Sequence, residues 1–286
     1  VAIVNILYDA PSFDGTFTGG SWAASLPVSN LMLAQPSKIA RSTDALAAST
    51  QFVCDHGSTL AIQMFALVNH NLSSAATIRW RVSTHSGLSS PLIDVTINAN
   101  APNLIYGSLP WGVFPWDWFS EETQPGGFTV FYKNDSAQYG RYTGINITDT
   151  TNSDGYAQAG VYLDGVPFTP SINFAPGAGI SLNDPSKQTR AVGGALYTDV
   201  RPKYRTFRAT LEWLTEAEAF GGVYRMRNML GIGGPLLLVV DPDATDGTLA
   251  AGTIYGRLVS VSDPIQFARN TVDYIYQATI EIEELI

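Results

Sequence analysis

Apolar and polar residues alternate with a period of two along most of the chain, and that period sends successive side chains to opposite faces of an extended backbone. Over residues 60–68, Leu60, Ile62, Met64, Ala66 and Val68 share one face; over residues 77–83, Ile78, Trp80 and Val82 oppose Arg79 and Arg81. Residues 128–132, 142–148 and 156–163 carry β-branched and aromatic side chains between Gly, Asn and Asp punctuation, the last closing on the turn-like pair Asp164-Gly165. The first 170 residues read as a set of strands with no amphipathic helix and no internal repeat.

Residues 167–179, rich in Pro and Gly, interrupt this pattern and place a domain join near Asn173. Alternation resumes over residues 204–214, with Phe207, Ala209, Leu211 and Trp213 on one face and Arg208, Thr210 and Glu212 on the other. Thr215 and Glu218 then have the spacing of a capping box, which predicts a helix over residues 216–230 that Gly231 ends. The pair Gly221-Gly222 weakens that helix, because each glycine costs about 1 kcal/mol relative to alanine. Residues 236–240 and 254–261 predict buried strands. In the terminal stretch Val272, Tyr274, Tyr276, Ala278, Ile280 and Ile282 alternate with Asp273, Gln277, Thr279, Glu281 and Glu283, a further half-buried strand.

The composition narrows the class. The chain has 286 residues, of which 45% are apolar and 14% charged, and its longest apolar run is too short to cross a bilayer as a helix. A formal net charge of −9 repels nucleic acid. With one cysteine, Cys54, no internal disulfide can form, so the fold is expected to rest on packing alone.

Candidate chemistry is sparse. His56, His70 and His85 have no metal-ligand spacing and read as turn and strand-end histidines bonded to backbone. Cys54, leading into an apolar strand, reads as a small core residue rather than a nucleophile. Asp241, Asp243 and Asp246 resemble a calcium loop only until its twelfth position, where this chain has Gly252, so residues 241–253 read as a solvated turn. Asp117, Glu121 and Glu122 are adjacent loop acids and make a weak glycosidase pair. Walker-type glycine loops and nucleophile elbows are absent from the sequence. The chain therefore reads as a non-enzyme with no cofactor and no metal.

The densest local feature is aromatic. Tyr106, Trp111, Phe114, Trp116, Trp118 and Phe119 crowd fourteen residues together with Pro110 and Pro115. The prolines exclude a helix or a central strand, so the segment reads as a long loop. Such a loop can meet another subunit or domain, plug a core, or stack on sugar C–H faces. Residues 13–22 form a second exposed-loop candidate that carries Phe13, Phe17 and Trp22.

Leu26-Pro-Val-Ser-Asn30-Leu31, Ala40-Arg-Ser42, Val53-Cys-Asp-His-Gly57, Phe65 to Leu72 and Ala76 to Arg79 resemble the opening of a galactose-binding-like (discoidin-type) jelly roll. Gly140 to Ile147, Asp154 to Leu163 and Gly165 to Pro170 resemble its close. This resemblance implies a mainly β chain in which residues 1–172 form a jelly-roll sandwich. Residues 173–286 then form a smaller β-rich domain with one short helix. The second half, through Arg201 to Arg208, Trp213 to Glu218, Gly234 to Pro242, Tyr255 to Leu258 and the acidic terminal strand, resembles minor tail and baseplate proteins of tailed bacteriophages. That resemblance implies a structural virion protein, assembled in the host cytoplasm as a symmetric oligomer with other tail or baseplate proteins. The alternative is a carbohydrate-binding module for host-surface glycans, with Trp22 and the aromatic loop as contacts. Neither reading involves nucleic acid or membrane insertion.

Overall fold

The computed structural model describes residues 3–73, 75–99, 128–244, 247–269 and 274–286. In chain order the strands are β1 (Asn5–Leu7), β2 (Thr16–Thr18), β3 (Ala40–Arg41), β4 (Phe52–His70), β5 (Thr77–Ser83), β6 (Ile93–Asn98), β7 (Phe128–Thr148), β8 (Gln158–Ala159) and β9 (Val161–Gly165). They continue as β10 (Gly179–Asn183), β11 (Lys187–Arg190), β12 (Leu196–Asp199), β13 (Tyr204–Leu214), β14 (Pro235–Val239), β15 (Thr253–Val261), β16 (Ile265–Arg269) and β17 (Tyr274–Glu284). The architecture is mainly β, as the alternation predicts, and its ladders are antiparallel.

The first sheet is built on two very long strands, β4 and β7. Residues 52–55 of β4 pair with residues 142–145 of β7, and residues 60–70 pair with residues 128–140, with register shifts between. The segments 128–132 and 142–148, predicted as separate strands, are thus one strand that continues through residues 133–141. Each half of this curled ribbon recruits different neighbours: β2 and β5–β6 join one half, and β9 joins the other. Ile78, Trp80 and Val82 face the core as the alternation requires, and the Trp80 ring lies 4.9 Å from that of Phe65.

The single face predicted for Leu60 to Val68 is not found. A register shift between Ile62 and Met64 turns Ile62 toward the first core, with Phe65 and Leu67. Met64, Ala66 and Val68 point the other way, into an apolar layer they share with Leu7, Val161, Leu163, Leu237, Val239 and Tyr255. β4 is therefore covered on both faces, because the second sheet packs on the back of the first.

The second sheet has the order β1-β14-β15-β17-β13-β10, with β16 added on β17. Its first strand comes from the N-terminus: Asn5, Ile6 and Leu7 pair with Val239, Leu238 and Leu237, and Ile6 also exchanges backbone hydrogen bonds with Phe168. Residues 5–7, from before the join expected near Asn173, thus belong to the second sheet. Phe207, Ala209, Leu211, Ala278, Ile280 and Ile282 form the core of this sheet, under the helical segment of residues 216–230.

The capping box at Thr215 and Glu218 is present. The helix changes to a π turn at Ala219–Tyr224, where the two glycines lie, and returns to α over Arg225–Leu230. Gly222 lies so close to Phe168 that a Cβ there would sit 2.2 Å from the ring. Gly231 ends the helix at φ 56°, a backbone region costly for other residues. Trp213 departs from its predicted face: the register shift between Leu211 and Leu214 leaves it 49% exposed, while Leu214 takes the core position. The turn expected over residues 241–253 contains a helical stretch, Gly247–Gly252.

Candidate functional site

Where β1 and β7 meet beside Thr169, the seam between the sheets opens into a cleft of about 630 Å³. β7 contributes Thr129 to Asn134 and the following Asp135; β4 adds Gln63, and β6 ends there with Ile97 and Asn98. Asn5, Thr169 and the turn residues Pro242 and Asp243 close the other side. The sequence reading missed this site, because its members lie far apart in the chain and meet only through the pairing of β1 with the second sheet.

The polar groups of the cleft are ordered around Lys133. Its ammonium donates to Asn5 Oδ1 at 2.7 Å and to Thr169 Oγ1 at 3.2 Å, while the Thr169 hydroxyl also donates to Asn5 Oδ1 at 2.7 Å. Burial pulls the Lys133 pKa below the ordinary lysine value, opposed by the Asp243 charge. No carboxylate among the described residues lies within ion-pair distance of Lys133. Asn5 Nδ2 is buried and has no hydrogen-bond partner among the described residues, where the Asn5 amide is held by its oxygen. Gln63 Nε2 donates to the carbonyls of Asn134 and Asp135 at 3.0 and 3.2 Å, which holds the end of the β7 segment in place. Tyr132 and Phe131 are half-buried and flank the cleft, anchored on the first core and on the layer between the sheets respectively. Amide, hydroxyl, carboxylate and ammonium groups converge on one concave surface beside aromatic rings, an arrangement that binds small polar ligands.

A second cluster has the elements of a nucleophile, a base and an acid, but it is sealed. Cys54 Sγ lies 3.8 Å from His56 Nδ1, and His56 Nε2 lies 3.1 Å from Asp164 Oδ2, which also accepts from the Thr143 hydroxyl at 2.7 Å. The Cys54, His56 and Asp164 side chains have no solvent exposure. Burial, reinforced by the charges of Asp164 and Asp55, pushes the thiol pKa far up, the opposite of what an attacking thiolate needs. Cys54 is a core residue, as the sequence indicates. Asp164, predicted to lie in a turn, is instead enclosed in β9, and His56 is enclosed beside it.

His70 is buried at the end of β4, where its Nδ1 accepts from the Leu72 amide, and His85 is exposed. Asp241 accepts from the Asp243 amide, and no cluster of three metal-ligating side chains occurs among the described residues.

The aromatic candidates divide. Tyr106, Trp111, Phe114, Trp116, Trp118 and Phe119 lie outside the described residues, as do Asp117, Glu121 and Glu122. Trp22 is half-buried, its ring edge-on to Phe52 at 6.1 Å and its indole N–H donated to Gly19 O. Phe17 is in the first core and Phe13 packs on the layer between the sheets. Residues 13–22 therefore turn their aromatics inward and do not form the exposed aromatic loop expected of them.

No family model and no curated protein matches the sequence. Among solved structures, chitosan-binding module 1 of a chitosanase/glucanase from Paenibacillus sp. IK-5 is similar at 13% identity and TM-score 0.35, over 55% of this chain and 98% of that one. The family 32 CBM of C. perfringens NanJ, in complex with galactose, is similar at 12% identity and TM-score 0.38, over 57% of this chain and 98% of that one. A Streptococcus pneumoniae fucose-binding module is similar at 8% identity and TM-score 0.38, over 56% of this chain and 96% of that one.

Proposed function

We propose that this chain is a non-catalytic binding protein that holds a carbohydrate in the cleft between its two sheets. The observation that carries the proposal is the convergence on Lys133: an ammonium held by two neutral oxygens, ringed by Gln63, Asn98, Thr129 and Asp243, and flanked by Tyr132 and Phe131. A sugar presents hydroxyls that both donate and accept, together with C–H faces that lie against aromatic rings. Single-site affinity in such an open polar cleft is expected near the millimolar range, about −4 kcal/mol.

Calorimetry and a glycan array with the purified protein test this, with galactose and fucose as first probes. Lys133→Met and Asp243→Ala are expected to abolish binding while the melting temperature stays above physiological range. Absence of any bound glycan, or binding that survives both substitutions, overturns the reading. Binding that is retained in the cleft variants and lost in Trp116→Ala/Trp118→Ala moves the sugar to the aromatic loop.

A structural role at a phage tail tip or baseplate is the second reading, and one observation favours its assembly component. A hairpin of this chain projects from the second sheet with both faces uncovered. Its consequence can be tested without reference to any virion.

A further inference from the structure

β11 and β12 form a two-stranded ribbon that continues the β10–β13 ladder beyond the sheet. Asn183 pairs with Tyr204, and the ladder resumes with Lys187 opposite Asp199 and runs to Arg190 opposite Leu196. Every residue of β11 and β12 is exposed. Strand rise makes this arm about 25 Å long.

Two features set the arm apart from an ordinary surface loop. It carries exposed apolar side chains: Val192 and Val200 are open to solvent, and Leu196 and Tyr197 are more than half exposed, among the described residues. An isolated two-stranded hairpin is marginal in water and becomes stable when one face is covered, so this composition fits a ribbon that is covered in its working state. Its charge is also inverted. Lys187, Arg190, Arg201 and Lys203 against Asp184 and Asp199 give residues 184–203 a net charge of +2, while the whole chain carries −9, which leaves −11 on the remainder. Arg201 and Lys203 pair within the arm with Asp199 and Asp184. Lys187 and Arg190, which lie nearer the tip, have no carboxylate within ion-pair distance among the described residues.

From this we infer that the hairpin of residues 184–203 is an assembly arm that docks on the acidic body of a second copy of this chain. The body supplies the complementary sign: outside the cleft, Asp14, Asp241 and Glu216 are exposed and have no cation within ion-pair distance among the described residues. Opposite charge steers the encounter and fixes its orientation, while burial of Val192, Leu196, Tyr197 and Val200 supplies the adhesion. An arm given by each copy and received by each is the self-complementary exchange that closed symmetric oligomers use.

Light scattering coupled to size exclusion tests the inference on the full chain. At low salt the molar mass is expected to be a multiple of the 30.8 kDa chain, and it should fall toward the single-chain value as salt rises from about 50 to 500 mM and screens the charges. Lys187→Glu/Arg190→Glu is expected to weaken association roughly tenfold or more, with an unchanged melting temperature. Replacing residues 185–202 by an Asn-Gly turn is expected to give a folded monomer. A wild-type monomer at every concentration overturns the inference, and so does an oligomer that persists in both variants. Glycan binding in the cleft is read separately, so the two proposals stand or fall independently.

Discussion

His56 and Asp164 form an ion pair inside the first sheet, Nε2 to Oδ2 at 3.1 Å, with neither side chain open to solvent. Burial opposes a charged imidazole here, but the hydrogen bond and the charge of Asp164 outweigh it and raise the His56 pKa above the ordinary histidine value. A raised folded-state pKa adds stability that is complete below the unfolded histidine value, about 6.5, and is lost as pH rises through the folded value. Chemical denaturation between pH 6 and pH 9 should therefore show stability falling with pH. His56→Gln should flatten that slope, and an unaltered slope in the variant would show that another group carries it.

His70 has the opposite sign. It is buried, its Nδ1 is occupied by the Leu72 amide, and burial, partly offset by the Asp149 charge, lowers its pKa to about 4. The unfolded chain takes up a proton at pH values where the folded chain does not, so stability falls as pH drops from about 6.5 to about 4. The loss amounts to about 3 kcal/mol over that window. His70→Asn, which keeps an acceptor for Leu72, should lose this acid sensitivity. Together the two histidines place maximum stability near neutrality, and urea midpoints measured across pH check it.

The thiol of Cys54 should be inert in the folded protein. It is enclosed by the first core, and a Cβ placed at Gly15 would come within 2.4 Å of its sulfur. A thiol reagent such as dithionitrobenzoate is expected to react with it only at the rate of unfolding. Rapid stoichiometric labelling under native conditions would mean that the cluster with His56 and Asp164 opens to solvent, and would reopen the case for a nucleophile.

The elements that a period of two describes were legible in the sequence, and those that depend on long-range pairing were not. The inward face of β5 and the inward positions Phe207, Ala209 and Leu211 of β13 follow from local alternation, and the Thr215 capping box follows from side-chain reach. Trp213 and Met64 depart from the faces that alternation predicts because each adjoins a register shift, and a displacement of one residue reverses the side chains beyond it. Asp164-Gly165 carries a turn signal in the sequence, but the Asp164 carboxylate is held by His56 and Thr143 from distant strands. The Lys133 cleft had no local signature, since Asn5 and Thr169 reach it from opposite ends of the first 172 residues.

Arg205 and Glu284 tie the start of β13 to the end of β17. The Arg205 guanidinium donates to both Glu284 carboxylate oxygens and, at 2.9 Å each, to the carbonyls of Ala250 and Ala251. Both side chains are almost fully buried, so removal of one leaves the other charged and unpaired in the interior. Glu284→Ala is expected to cost about 3–5 kcal/mol, read as a shift of the urea midpoint. A change below about 1 kcal/mol would show that the pair is solvated in solution.

The two adjacent glycines of the π turn should respond in opposite directions to the same substitution. Gly221 has open space where a Cβ would go, so Gly221→Ala gains helix propensity, up to about 1 kcal/mol, with no steric cost. At Gly222 the added carbon would meet the Phe168 ring and force the helix away from the segment that Phe168 bridges to Ile6 of β1, which costs about 1–3 kcal/mol. Thermal melts of the two single variants give the sign directly. Phe168→Leu in the Gly222→Ala background relieves the clash and should recover part of the loss. Equal effects at both positions would mean that the close packing of this helix on Phe168 does not persist in solution.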